Sequence, residues 1–230
     1  VDERYTRELQ STLQHRIDQD LFYLRSKGLD NPNSVDQVVD LLETDYNFVP
    51  WEFTPTGKAS LNKNVLAVLA LAGGLQTETV EALVRYKRNV KWKGTYVDRF
   101  LTSADIHGFV HPSINTMAAR TGRSSIQGPP LQTLPSNDPM IRRCLLPPKK
   151  HSWYSLDYSN QEPRLLAHYG RSPELLRYFT EGDSQGSIHD FVAGEMFGQG
   201  YTKEQRSIAK VFGLARSYGA QEETLAVSSG

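Results

Sequence analysis

"YSLDYSNQEPRLLAHYG" (154–170) brings an aspartate, Asp157, to the end of a short apolar run and then launches a leucine-rich segment through a Glu-Pro step. The preceding residues, "WYSLD" (153–157), have the alternating aromatic and apolar character of a strand that ends at Asp157. Pro163 suits the first turn of the helix that follows. A strand-end aspartate is often a turn or cap residue. The same position also lets a carboxylate serve a hard cation such as Mg²⁺, which binds through one or two carboxylates together with phosphate oxygens. Glu162, where the helix begins, can look back toward that point.

Outward from this stretch the chain divides by character. Residues 4–27 repeat Leu9, Leu13, Ile17, Leu21 and Leu24 at spacings of three and four, which predicts a helix. "DNPNS" (30–34) breaks it, and Ser34 is placed to cap a second helix carrying Val35, Val38, Val39 and Leu42. Further helical patterns cover 63–72 and 77–101. Near 103 the pattern changes: "IHGFVHPSINTM" (106–117) predicts antiparallel strands, and "IRRCLL" (141–146) another. Residues 120–139 are rich in Gly, Pro and Ser, a composition of functional or disordered segments. From 162 onward helices dominate again.

Composition excludes more than it selects. The 230 residues carry 26 Lys+Arg against 26 Asp+Glu, so net charge points to no polyanionic partner. Locally, Arg85, Lys87, Arg88, Lys91, Lys93 and Arg99 face only Asp98, a stripe that can meet phosphates or simply solvent. Cys144 is the only cysteine, which excludes a disulfide framework and suits a reducing compartment. No apolar run approaches the roughly 18 residues of a membrane span. No basic-then-apolar leader opens the chain, and Val1 is expected to be an internal residue of something longer.

Two other segments carry candidate chemistry. In "EQRSIAKVFGLARSYGA" (204–220), Arg206, Lys210, Leu214 and Tyr218 drift across one helical face, while Ile208, Val211, Phe212 and Ala215 form the expected buried stripe. Arg206 and Lys210 stand one turn apart, roughly 6 Å of rise, which suits adjacent phosphates of one polyphosphate or a plain solvated face. In 116–134, Arg120, Thr121, Arg123, Ser124, Ser125 and Gln132 can hydrogen-bond phosphates, sugars and groove edges.

Together these segments resemble the family A DNA polymerases, the group of bacterial DNA polymerase I. "DYSNQEPRLLAH" is similar to motif A, Asp-Tyr-Ser-x-x-Glu-x-Arg-x-x-Ala-His, and "RSIAKVFGLARSYG" to motif B, Arg-x3-Lys-x7-Tyr-Gly. "TGRSSIQGPPLQTLP" resembles the Thr-Gly-Arg segment, and "SIHDFVAGEMFG" (187–198) the His-containing helix before motif B. "FTPTGKASLN" (53–62) and "WKGTYVDRF" (92–100) match weaker thumb patterns. The resemblance implies an α+β right-hand polymerase, incomplete: a helical thumb (1–102), a partial antiparallel-sheet palm with motif A (103–170), and helical fingers with motif B (171–230).

It also implies roles. Asp157, helped by the Tyr158 carbonyl, would bind two catalytic Mg²⁺ ions; Glu162 would crowd a ribose 2′-OH; His189, Arg206 and Lys210 would hold the triphosphate of the incoming dNTP. Leu214 would face the nucleotide, and Tyr218 would pack beside the nascent pair against Glu162. Thr121, Arg123, Gln132, Arg142 and Lys93 would meet primer–template DNA. The reaction would be in-line attack of a primer 3′-OH on the α-phosphate, in the cytoplasm of a bacterium or a virus-infected cell. A related single-subunit RNA polymerase is the alternative that Glu162 argues against. A non-catalytic DNA-binding module leaves a triphosphate clamp beside a metal carboxylate unexplained, and a helical scaffold explains none of the spacings.

Departures from the family pattern are specific. Leu214 stands where Phe or Tyr is usual, Pro130 and Thr133 replace Asn residues, Ser187 replaces an Asp, Pro163 is unusual, and "DSQG" reads as an insertion. Residues 220–230 hold no His-Asp-Glu triplet, so the expectation is an internal fragment or half of a split enzyme, inactive alone without its C-terminal part.

Overall fold

The structure, a computed structural model, describes residues 1–71, 76–135, 138–180, 187–217 and 219, except the side chains of Lys63, Asn64, Ala67, Leu71, Gln76, Leu214 and Ser217. It is mostly helical with one small two-stranded antiparallel sheet among the described residues. Two compact units divide the chain, Val1–Ser152 and Trp153–Gly230.

The first unit is built on α1 (Glu3–Ser26), whose N-cap Asp2 accepts from the Tyr5 backbone N–H. That bond satisfies one of the orphan donors at a helix start. The apolar stripe of α1 serves two cores. Ile17 and Leu24 pack with Val38 and Leu42 of α2 (Val35–Tyr46), Val65 and Leu69 of α3 (Lys63–Leu71), and Val80 and Leu83 of α4 (Gln76–Lys91). Leu9 and Leu13 pack instead with Tyr96, Val97, Phe100, Ile141 and Cys144. As predicted, Ser34 caps α2, and Asn47 ends it in the left-handed conformation at φ 54°. Each fully buried Leu or Phe here contributes roughly 1.5–3 kcal/mol.

The predicted helix over 77–101 is interrupted in register. After α4 the backbone widens into a π-helical turn, Trp92–Val97, in which Asp98 N–H donates to the Lys93 carbonyl, before α5 (Asp98–Ser103). The extra residue per turn turns Tyr96 and Val97 inward together with Phe100, all at most 2% exposed. Tyr96 then donates its hydroxyl to the Thr133 carbonyl at 2.5 Å, tying a 3₁₀ turn (Leu131–Thr133) to the helices.

The strand predictions fare differently. Within 106–117 only β1 (Ser113–Asn115) forms, paired with β2 (Ser125–Gln127) so that Ile114 meets Ile126. The second partner comes from the polar segment read as irregular, which Gly122 turns back at φ 77°. "IRRCLL" is not a strand: Asp138 caps α6 (Pro139–Arg142) through the Met140 N–H, with Pro139 at the first helical position. That local start signal overrides the short apolar run. "WYSLD" is no strand either. A strand exists through the ladder to a neighbour, none pairs with it among the described residues, and Trp153, Tyr154 and Leu156 stand exposed.

The second unit contains α7 (Gln161–Gly170), α8 (Pro173–Thr180), α9 (Ile188–Phe197) and α10 (Lys203–Ser217). Pro163 lies in the first turn of α7, where its missing N–H costs nothing. Small residues set the packing of α10. Ala209 and the α9 residue Ala193 are fully buried, and a Cβ at Gly213 would lie 3.7 Å from Val192. The buried seam therefore centres on Ala209. Val211, roughly 200° around the helix from it, is 43% exposed, and Phe212 is only half-buried, which corrects the predicted stripe.

Candidate functional site

The start of α9 is set by a capping box. Ser187 accepts from the His189 N–H, and Asp190, three residues on, accepts from the Ser187 N–H at 3.2 Å. α10 begins the same way, with Thr202 accepting from Gln205 N–H and Gln205 from Thr202 N–H. These two starts bring charged groups together. Arg206 grips Asp190 with both Nε (2.5 Å to Oδ1) and Nη2 (3.2 Å to Oδ2), and the Tyr201 hydroxyl donates to Oδ1 at 2.9 Å. The hydrogen bond from Arg206 is the main reason the Asp190 carboxyl is held down to about 2.

His189 lies in the same cluster. Burial pushes its imidazole below its ordinary value, and the Lys210 and Arg206 cations push it further, with Asp190 opposing. Lys210 is exposed and Arg206 keeps 39% of its side chain accessible. The three groups predicted to hold a triphosphate are therefore electrostatic neighbours at the α9–α10 interface. An imidazole whose protonation is disfavoured, beside two reachable cations, is chemistry for a polyanion.

Asp157 and Tyr158 precede α7 and are exposed, as is Glu162, second residue of that helix. Arg164 braces this corner: its Nε donates to the Ser159 carbonyl at 3.0 Å, and its guanidinium lies 4.7 Å from the centre of the Phe179 ring in α8. The described residues hold no group of three His, Cys, Asp or Glu side chains fit to bind a metal. Leu214 belongs to α10, but its side chain lies outside the described residues, and so does Tyr218.

The remaining candidates belong to the first unit. Lys93 is paired with Asp98 at 3.0 Å and is only 22% exposed. Thr121 and Arg123 stand exposed at the turn before β2. Gln132 donates to the Ser124 carbonyl at 3.2 Å and Arg142 to the Pro135 carbonyl at 2.9 Å, so both help hold the segment on which they sit. Sequence reasoning missed Asp190, Tyr201 and the Arg164–Phe179 contact. Only the Ser-x-x-Asp spacing of the capping box could have singled out Asp190.

The family model for DNA polymerase family A matches residues 3–230. The chain belongs to DNA polymerase family A. Among its family A relatives, the DNA polymerase of Mycobacterium phage D29 is 32% identical over 210 residues, covering 90% of this chain and 34% of the relative. The thermostable DNA polymerase I of Thermus aquaticus is 32% identical over 220 residues, 91% of this chain and 25% of the relative. The chain thus spans about a third or less of the length of these curated relatives. A solved structure, the POL domain of Pol1 from M. smegmatis in complex with DNA primer-template and dNTP, superposes with a TM-score of 0.85 at 26% identity. The match covers 98% of this chain and 40% of that one.

Proposed function

We propose that this chain is part of a DNA-templated DNA polymerase that adds deoxynucleotides from dNTP to a primer 3′-OH. The observation that carries the reading is the Arg206–Asp190 ion pair, which joins the start of α9, where His189 lies, to the face of α10 that carries Arg206 and Lys210. Arg206 and Lys210 neutralise the triphosphate while the His189 imidazole offers a further N–H donor beside them. Residues 1–102 act as thumb, 103–170 as the first part of the palm and 171–230 as the first part of the fingers, completed by a further polymerase segment in the cytoplasm of the host.

By the family resemblance Leu214 and Tyr218, which lie outside the described side chains, are assigned to the incoming nucleotide, Leu214 without a ring for stacking and Tyr218 together with Glu162. Thr121, Arg123, Gln132, Arg142 and Lys93 position the primer–template duplex by contacts that carry no sequence information. Asp157 and the Tyr158 carbonyl are hard oxygen donors at one exposed corner, a partial donor set that suits Mg²⁺, whose shell substrate phosphates and water complete. Two such ions would steady the attacking and leaving oxygens of the in-line displacement.

The test is Lys210→Ala in a complete polymerase carrying this segment. Single-turnover incorporation should fall on the order of a hundredfold or more, with primer–template affinity nearly unchanged. A purely DNA-binding role would show the reverse, and an unchanged incorporation rate overturns the proposal.

A further inference from the structure

The carboxylate that grips Arg206 is not one of the groups assigned to the nucleotide. Two roles are open to an acid in that place: competing with the phosphates for the guanidinium, or holding the guanidinium ready for them. We infer that Asp190 is a positioning residue that presents Arg206 to a polyphosphate, an inference that rests on the triphosphate-clamp reading.

The hydrogen bonds of both partners favour the second: Asp190 is fixed at two helix starts, and the guanidinium keeps N–H donors to spare. An ionised carboxylate offers about four acceptor sites. In Asp190, Oδ1 accepts from Arg206 Nε and the Tyr201 hydroxyl, and Oδ2 accepts from Arg206 Nη2 and the Ser187 N–H. The Asp190 charge is offset by the Arg206 cation it holds, so the pair is close to neutral and acts on a phosphate chiefly through the directed N–H donors left on the guanidinium.

Arg206 is not saturated. A guanidinium has about five N–H donors, of which Asp190 takes Nε–H and one on Nη2. The rest remain available on a side chain that is 39% exposed. Ordering a rotamer-rich side chain opposes binding, and here folding has already ordered it. Asp190 itself is fixed from both sides: it is the third residue of the α9 capping box, and Tyr201 lies just before α10. The device thus locks Arg206 to the starts of both helices.

The experiment is calorimetric titration of sodium tripolyphosphate into the 230-residue chain, with the His189 imidazole followed by NMR as a local reporter. In the unaltered chain, binding should raise the His189 pKa, because phosphate charge offsets Lys210 and Arg206. Asp190→Asn, which cannot hold both guanidinium nitrogens as an acceptor, should weaken binding about five- to tenfold. Asp190→Glu should recover most of it, and Tyr201→Phe, which removes one donor and little volume, should cost about twofold.

Equal or tighter binding by Asp190→Asn makes Asp190 a competitor and overturns the inference alone. If Asp190→Asn does not fold, Asp190→Glu and Tyr201→Phe decide, and unchanged affinity in Tyr201→Phe overturns it. Absence of binding to the unaltered chain, or binding that leaves His189 unmoved, instead overturns the clamp reading and the inference with it.

Discussion

Lys93 donates to both oxygens of Asp98, at 3.0 and 3.3 Å, across the π-helical turn, and Gln10 of α1 donates to the same carboxylate at 2.6 Å. The cation proposed to lie along DNA is therefore held by an internal anion. A phosphate must take Lys93 from Asp98, or share it.

Asp98→Asn is accordingly expected to tighten binding of a short duplex a few-fold at low salt, and Lys93→Ala to weaken it. Each phosphate contact changes the slope of log affinity against log salt by about 0.9. Asp98→Asn should steepen that slope by about this amount, measured by fluorescence anisotropy. Identical slopes for both variants and the unaltered chain would remove Lys93 from the interface.

The charges around His189 and Asp190 predict two windows of acid sensitivity. His189 is depressed in the folded chain, chiefly by burial, so below its ordinary value of 6.5 the unfolded chain binds more protons and stability declines as pH falls. Asp190 is depressed as well, from 3.8 to about 2, so its contribution is complete above 3.8 and is lost as pH falls toward 2. Lys210→Ala should move the His189 pKa upward and soften the first decline. An NMR titration in which His189 stays put would show that Lys210 does not act on it.

Packing gives a direct contrast between two apolar positions. Phe100 is fully buried between α1 and the π-helical turn, whereas Val211 is 43% exposed. Phe100→Ala should cost about 3–5 kcal/mol in urea denaturation, and Val211→Ala within about 0.5 kcal/mol of nothing. A large loss at Val211 would mean that its face of α10 is covered.

What could be read in the sequence was what depends on near neighbours. The period of Leu9, Leu13, Ile17 and Leu24 and the cap at Ser34 are local, and both elements form as read. β2 depends on a partner that lies before the Gly122 turn, Ile114 opposite Ile126, and "WYSLD" has no paired neighbour among the described residues, so composition misjudged both. Asp138-Pro139 is a legible helix start in the sequence, and it outweighs the short apolar run that follows it. On α10, helical spacing of apolar residues points to Ile208, Val211, Phe212 and Ala215, but the seam against α9 centres on the small residues Ala209 and Gly213. The spacing of Arg206 and Lys210 was visible in sequence, His189 came from resemblance alone, and Asp190 acquires its role only when the two helix starts meet.

The corner around Glu162 predicts a separation of sugar choice from general activity. Glu162 is exposed in the first turn of α7, and that turn is braced by Arg164 through the Ser159 carbonyl and the Phe179 ring. A carboxylate at a braced helix start can exclude a hydroxyl by occupying its place, whereas the brace only keeps the helix where it is. In a complete polymerase, Glu162→Ala should therefore raise the ratio of ribonucleotide to deoxynucleotide kcat/KM, on the order of tenfold. Arg164→Ala, which frees the corner without opening space for a 2′-OH, should depress incorporation of both sugars and leave the ratio nearly constant. A ratio that shifts equally in both variants would assign discrimination to the helix position rather than to the Glu162 side chain.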